Sequence, residues 1–236
     1  MEEQINQSGS YTKEISREFF KNVYSYMFGA LAISGILASY CGTPAFFESY
    51  FINSNGGLSP LFYVIAFAPI GLGLLIQTAY QRLSFGLLLG LFVAYSALMG
   101  VSLSVIFLIY DITTLASTFF VTAGAFAGMA ILGYTTKTDL TKMGSMLYMV
   151  FIGIFIAGIV NIFMKSDAMG FIISVLGVFV FTGLTAYHMQ QLKQIAQDPN
   201  LDPMHRQKLS LIGGLTLYIL FVNLFLSLLR LVGGRD

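Results

Sequence analysis

The chain has 236 residues, 56% of them hydrophobic and only 10% charged, with a net charge of +1, whereas soluble domains carry roughly 25% charged residues. Together with a mean hydropathy of +0.79, this composition excludes a water-soluble globule. The absence of a Lys/Arg cluster excludes a nucleic-acid partner, which would need a basic surface to release counterions. The single cysteine, Cys41, excludes an internal disulfide framework and any paired-thiol metal or redox site.

The first residues, Met1 to Lys21, form a polar N-terminal tail without the basic segment and short apolar core of a cleaved signal peptide. The first apolar run is therefore expected to be a retained span. From Asn22 onward, stretches long enough to cross the hydrocarbon core, about 20 mostly apolar residues, recur seven times. They run approximately Asn22 to Gly42, Leu58 to Ala79, Leu83 to Leu108, Thr114 to Gly133, Gly144 to Phe163, Ala168 to His188 and Ser210 to Val232. The longest polar gaps after the tail are Thr43 to Gly57 and Gln190 to Leu209. The second of these carries Asp198-Pro199 and Asp202-Pro203, which stop one helix and open the next. Continuous apolar runs such as Met149 to Ile159 select helices over an alternating barrel pattern. The expected fold is all-α, a polytopic seven-transmembrane-helix bundle forming one membrane domain over residues 22–236.

Positive residues in short loops stay on the cytoplasmic side. A cytoplasmic N-terminus places Lys13, Arg17, Lys21, Arg82, Lys137, Lys142, Lys193, Arg206 and Lys208 inside and leaves only Lys165, Arg230 and Arg235 outside. Seven full crossings set the last two against the rule, so a final helix that returns to the cytoplasm is the alternative to a full crossing.

Small residues four apart allow close backbone approach between helices in lipid. Gly86/Gly90, Gly124/Gly128 and Gly153/Ala157 have this spacing and are expected at contacts within the bundle. With no Trp in the chain, interfacial anchoring falls to tyrosines such as Tyr24, Tyr26, Tyr110, Tyr134 and Tyr148.

All eleven acidic residues lie in loops or tails. An acidic proton relay, or an intramembrane metal or aspartyl protease, needs carboxylates or a histidine cluster at depth. No metal site, cofactor or enzyme activity is expected. The best single candidate for a titratable switch is His188, with Thr185 one turn back on its helix face. Its alternative reading is a helix-end histidine facing water, stabilised by the helix dipole. Arg82 reads as a positive-inside anchor or a gate residue. Asn161, Tyr218 and Asn223 read as interhelical hydrogen-bonding groups, and Asp139 as a cap for the helix that follows it.

Four segments in order resemble the transmembrane Bax inhibitor motif family, the bacterial Bax inhibitor-1-like proteins. They are Gly100-Val-Ser-Leu-Ser-Val-Ile-Phe-Leu-Ile-Tyr110, Gly133-Tyr-Thr-Thr-Lys-Thr-Asp-Leu-Thr-Lys-Met-Gly144, Gly183-Leu-Thr-Ala-Tyr-His-Met-Gln-Gln-Leu-Lys193, and the run Leu217-Tyr-Ile-Leu-Phe-Val-Asn that continues to Arg230. The resemblance implies seven helices with the last one central, and a calcium leak of the bacterial inner membrane gated by pH through two aspartates that share a proton. Those aspartate positions, after Thr-Ala-Tyr and after Leu-Tyr-x, hold His188 and Leu220 here, so the acid pair is not carried over. The oxygens left to meet a cation are neutral ones, Thr185, Tyr218 and Asn223. The resemblance also implies a second possibility, a non-transporting protein that binds or modulates a membrane-anchored ATP-dependent protease through its N-terminal tail.

Overall fold

The computed structural model describes the backbone of residues 2–233, and side chains from Lys13 onward. Among the described residues nine helices follow in order: α1 (Glu2–Cys41), α2 (Pro44–Phe51), α3 (Pro60–Ala79), α4 (Phe85–Leu103), α5 (Ile106–Ile109), α6 (Ile112–Thr135), α7 (Thr141–Met164), α8 (Asp167–Gln197) and α9 (Pro203–Gly233). Among the described residues the only strand-like pairing is an isolated bridge between Ile52 and Leu58. Seven helical segments are long and apolar enough to span a membrane, with α4 and α5 together forming the third. This is the all-α, seven-span bundle expected. The last span is the most buried, 61% of its apolar window against none for α7.

Hydropathy located the spans better than the helix ends. The polar tail is helical from Glu2 and runs without a break into the first span. The last two helices extend well into the stretch read as the Gln190 to Leu209 loop, which shrinks to Asp198–Asp202. Polar residues such as Gln191, Lys193 and Gln194 are good helix formers, so leaving the apolar core does not end the helix. The prolines end it instead: α8 stops before Pro199, and Asp202 accepts the His205 N–H at 3.0 Å to open α9. The Thr43 to Gly57 gap contains α2, started by Pro44 and held by edge-on stacking of Phe47 and Phe51 on each other and on Phe62.

The chain forms two compact units, one from the residues up to Asp111 with Pro199–Leu215, the other from Ile112–Asp198 with the chain from Thr216. In the first unit α1 lies along α4. Gly100 admits the Ser34 backbone so closely that a Cβ there would stand 2.7 Å from the Ser34 carbonyl oxygen, and Gly214 takes Tyr26 in the same way, at 2.6 Å. The third helix, α3, packs on α4 and contains Pro69. A proline has no N–H to give the carbonyl four residues back, which leaves the Ile65 oxygen without its helical partner. Ser102 of α4 supplies the missing hydrogen bond at 2.8 Å. Replacing Ser102 by alanine should therefore cost about 1 kcal/mol, read as a lower melting temperature in detergent. An unchanged melting temperature would show that the bond contributes nothing.

The small-residue spacing misidentified the contact faces. Gly86, Gly90, Gly124, Gly128 and Gly153 have nothing within 4 Å of a built Cβ and face outward. The glycines at close helix approaches are others, among them Gly100, Gly133, Gly144 and Gly177. A four-residue spacing marks a smooth face, and such a face can meet lipid as readily as protein.

Candidate functional site

The second unit is organised around α8, with α6 and α7 packed along it. Gly133 of α6 rests on the Ala186 backbone of α8, and Gly144 of α7 sits under the Tyr187 ring. Phe151 of α7 meets Phe181 edge-on. Between α6 and α7 the 136–140 turn is fastened by Gln190 of α8, whose Oε1 accepts the Leu140 N–H at 2.9 Å while its Nε2 donates to the Thr138 carbonyl at 2.8 Å. Lys193, one turn further, donates to the Tyr134 carbonyl at 2.8 Å and stands 5.1 Å above the Tyr134 ring.

Asp139 sits in that turn and accepts from Thr141 twice, from its hydroxyl at 2.6 Å and its N–H at 2.9 Å. The N-cap position of α7 is Leu140, which gives no side-chain cap, and Asp139, one residue before it, meets the first N–H of the helix instead. The Thr141 hydroxyl first, then the Thr141 N–H, with the nearby Lys142 charge adding to them, hold the Asp139 carboxyl below the ordinary carboxylate range. A lowered folded value stabilises the turn above the unfolded value near pH 4, and the contribution is lost as pH falls through the folded value. The Thr141 amide is accordingly expected to exchange with solvent faster as pH is taken below about 4 than the intrinsic pH dependence of exchange allows. In Asp139→Asn this extra acceleration should be absent; its persistence would assign it to another group.

His188 lies more than two turns before the end of α8 at Gln197, so it is not the helix-end histidine of the alternative reading. Its ring is half-buried against α7. Nε2 stands 2.6 Å from the Tyr148 hydroxyl, and the Tyr148 and Tyr187 rings meet the imidazole edge-on at 6.0 and 5.2 Å. Gln191 donates to the Tyr187 hydroxyl at 2.6 Å. With the imidazole neutral and Nε2 unprotonated, Tyr148 donates to it. In the imidazolium Nε2 becomes the donor and the phenol oxygen the acceptor. The α7–α8 seam thus keeps its hydrogen bond but gains a positive charge on protonation.

Leu220 is buried in α9, 5% exposed. Gly177 of α8 meets Ser227 of α9, whose hydroxyl would stand 2.5 Å from a Cβ at Gly177. Of the two positions at which the resemblance implies aspartates, 188 is in α8 and 220 in α9.

Thr185 is fully buried and donates to the Phe181 carbonyl at 2.7 Å. Asn223 donates from its amide nitrogen to the Ile219 carbonyl at 2.8 Å, and Ser227 to the Asn223 carbonyl at 2.8 Å. Each spends a donor within its own helix, and their oxygens keep lone pairs that can accept. Tyr218 is fully buried in α9. Asn161 accepts the Ser166 N–H at 3.0 Å and so closes the turn into α8. Arg82 belongs to the first unit, exposed in the turn after α3. Among the described residues no group of three or more His, Cys, Asp or Glu is gathered to hold a metal.

Sequence reasoning missed Tyr148 and Gln190. Tyr148 was read as an interfacial anchor, and nothing in the sequence pairs it with a residue forty positions away. Gln190 opens the polar gap Gln190 to Leu209, yet it lies four and seven residues after Ala186 and Gly183, on the helix face those small residues mark.

Residues 16–236 match the family described as Inhibitor of apoptosis-promoting Bax1. Among the relatives, the "Inner membrane protein YbhL" of Escherichia coli K12 is 40% identical over 220 residues, covering 92% of each chain. An uncharacterised protein of Borreliella burgdorferi is 41% identical over 94% of each chain, and an uncharacterised membrane protein of Streptococcus pyogenes serotype M1 is 30% identical over 93% of each. With a family match across nearly the whole length, on a fold of seven membrane-spanning helices, this chain belongs to the Bax inhibitor-1 family of integral membrane proteins.

Proposed function

We propose that the protein is a cation leak pathway of the bacterial inner membrane, with calcium as the ion the family resemblance implies and His188 as the group that makes the leak respond to pH. It works without enzymatic chemistry, and its N-terminus is cytoplasmic. The inner-membrane name of the Escherichia coli relative and the distribution of Lys and Arg support the location and orientation. The observation that carries the gating role is the 2.6 Å contact between the His188 imidazole and Tyr148 at the α7–α8 seam, at one of the two positions implied to be acidic. The other position is a buried leucine.

Around the imidazole stand Tyr148 from α7 and Tyr187 and Gln191 from α8. In α9 the second of the implied positions is the buried Leu220. Charging His188 therefore places a positive centre among neutral groups, where cations are repelled. The cation leak decreases as the medium is acidified. Calcium flux into liposomes containing the purified protein, measured across a pH series, tests this. A leak that falls with acid supports the proposal. Silence at every pH would overturn it in favour of a non-transporting partner of a membrane-anchored ATP-dependent protease.

A further inference from the structure

A cavity with both polar and apolar walls lies in the first unit. The segment between α8 and α9, with the first two turns of α9, faces one side of α1 across a cavity of about 550 Å³, within the size range of small-ligand sites. Its lining residues on α1 include Glu18, Phe19 and Asn22, and those on α9 include Met204, Arg206 and Ser210. Phe19 and Ser210 are buried, while Glu18 and Met204 are exposed at the rim. The wall therefore offers one negative group, one positive group, neutral hydrogen-bonding groups and an apolar surface.

The depth of the cavity narrows the ligand class. The charged residues of the N-terminal part of α1 end at Lys21, and Asn22–Cys41 carries none; on α9 the last charge before Arg230 is Lys208. Both helices thus enter their uncharged stretches at the level of the cavity, which is where headgroups lie. Phe19, Asn22 and Ser210 line the side of the cavity nearer the uncharged stretches, the side from which an acyl chain would continue, and Met204, 56% exposed, lies at the opposite rim.

We propose that this cavity binds the headgroup of a zwitterionic phospholipid of the ethanolamine type, from the leaflet at the N-terminal end of α1. The phosphate faces Arg206 and the ammonium faces Glu18, a carboxylate that accepts N–H bonds. A choline headgroup carries the same charges but has no N–H to donate, so the site prefers ethanolamine to choline.

Native mass spectrometry of the full-length protein, released from micelles holding equal amounts of phosphatidylethanolamine and phosphatidylcholine, tests the site. The ethanolamine adduct should exceed the choline adduct roughly fivefold. Glu18→Gln should bring the two adducts to parity, and Arg206→Gln should weaken both. Glu14→Gln, an exposed change on the same helix outside the cavity, should leave the preference in place. Equal adducts in the wild type, a preference that survives Glu18→Gln, or adducts undiminished in Arg206→Gln would overturn the proposal. Adding soluble glycerophosphoethanolamine distinguishes the source of the headgroup. Failure to displace the lipid supports the lipid assignment, and displacement at concentrations comparable to the lipid's would assign the cavity to a soluble phosphoester instead.

Discussion

Gly133→Ala should cost about 3 kcal/mol or more of stability and show as loss of the monodisperse folded species in detergent. The added Cβ falls on the Ala186 backbone of α8, on its carbonyl oxygen and, at 2.6 Å, its Cα. A flexible side chain could turn aside, but backbone cannot, so α6 and α8 must separate. Their separation removes the contact on which the second unit is organised and also moves the 136–140 turn that Gln190 fastens. Gly128→Ala on the same helix is the internal control. Its Cβ meets nothing within 4 Å, and alanine is a better helix former than glycine by up to about 1 kcal/mol, so that variant should be unchanged or slightly more stable. Equal melting temperatures for the two variants would contradict the α6–α8 contact described here.

Leu220→Asp is the second large effect expected. A carboxylate in place of a leucine that is 5% exposed loses its solvation, at a cost of about 3 kcal/mol. Positions 188 and 220 are the two at which the family resemblance implies an acid pair sharing a proton, so an imidazolium at 188 is expected to pair with this carboxylate. Leu220→Asp combined with His188→Leu should accordingly be less stable than the sum of the two single variants, with a coupling of about 1 kcal/mol or more. Additive effects would mean that positions 188 and 220 do not face each other.

The membrane class and the seven spans were legible from hydropathy alone, because a run of uncharged residues long enough to cross lipid has few other solutions. Family membership was legible too, carried by segments such as Thr185-Ala186-Tyr187 and Leu217-Tyr218. Helix ends were less so. Asp198-Pro199 and Asp202-Pro203 marked true breaks, yet the polar residues before Pro199 gave no sign that α8 would continue through them. Contact faces were misread at Gly86/Gly90 and Gly124/Gly128, since spacing identifies a smooth helix face but not its neighbour. The His188–Tyr148 pair lay beyond the sequence because it depends on how α7 and α8 are set against each other. The Ser102 bond to Ile65 was in principle readable in half: Pro69 announces a deprived carbonyl four residues back, but not the helix that satisfies it.

In the proposed function one imidazole, that of His188, carries the pH response. The measurement that tests it most directly is calcium flux into liposomes across a pH series, with wild type and His188→Leu reconstituted at matched density. The wild-type leak should fall as the medium is acidified and that of His188→Leu should stay flat. The same pH dependence in both proteins would contradict it.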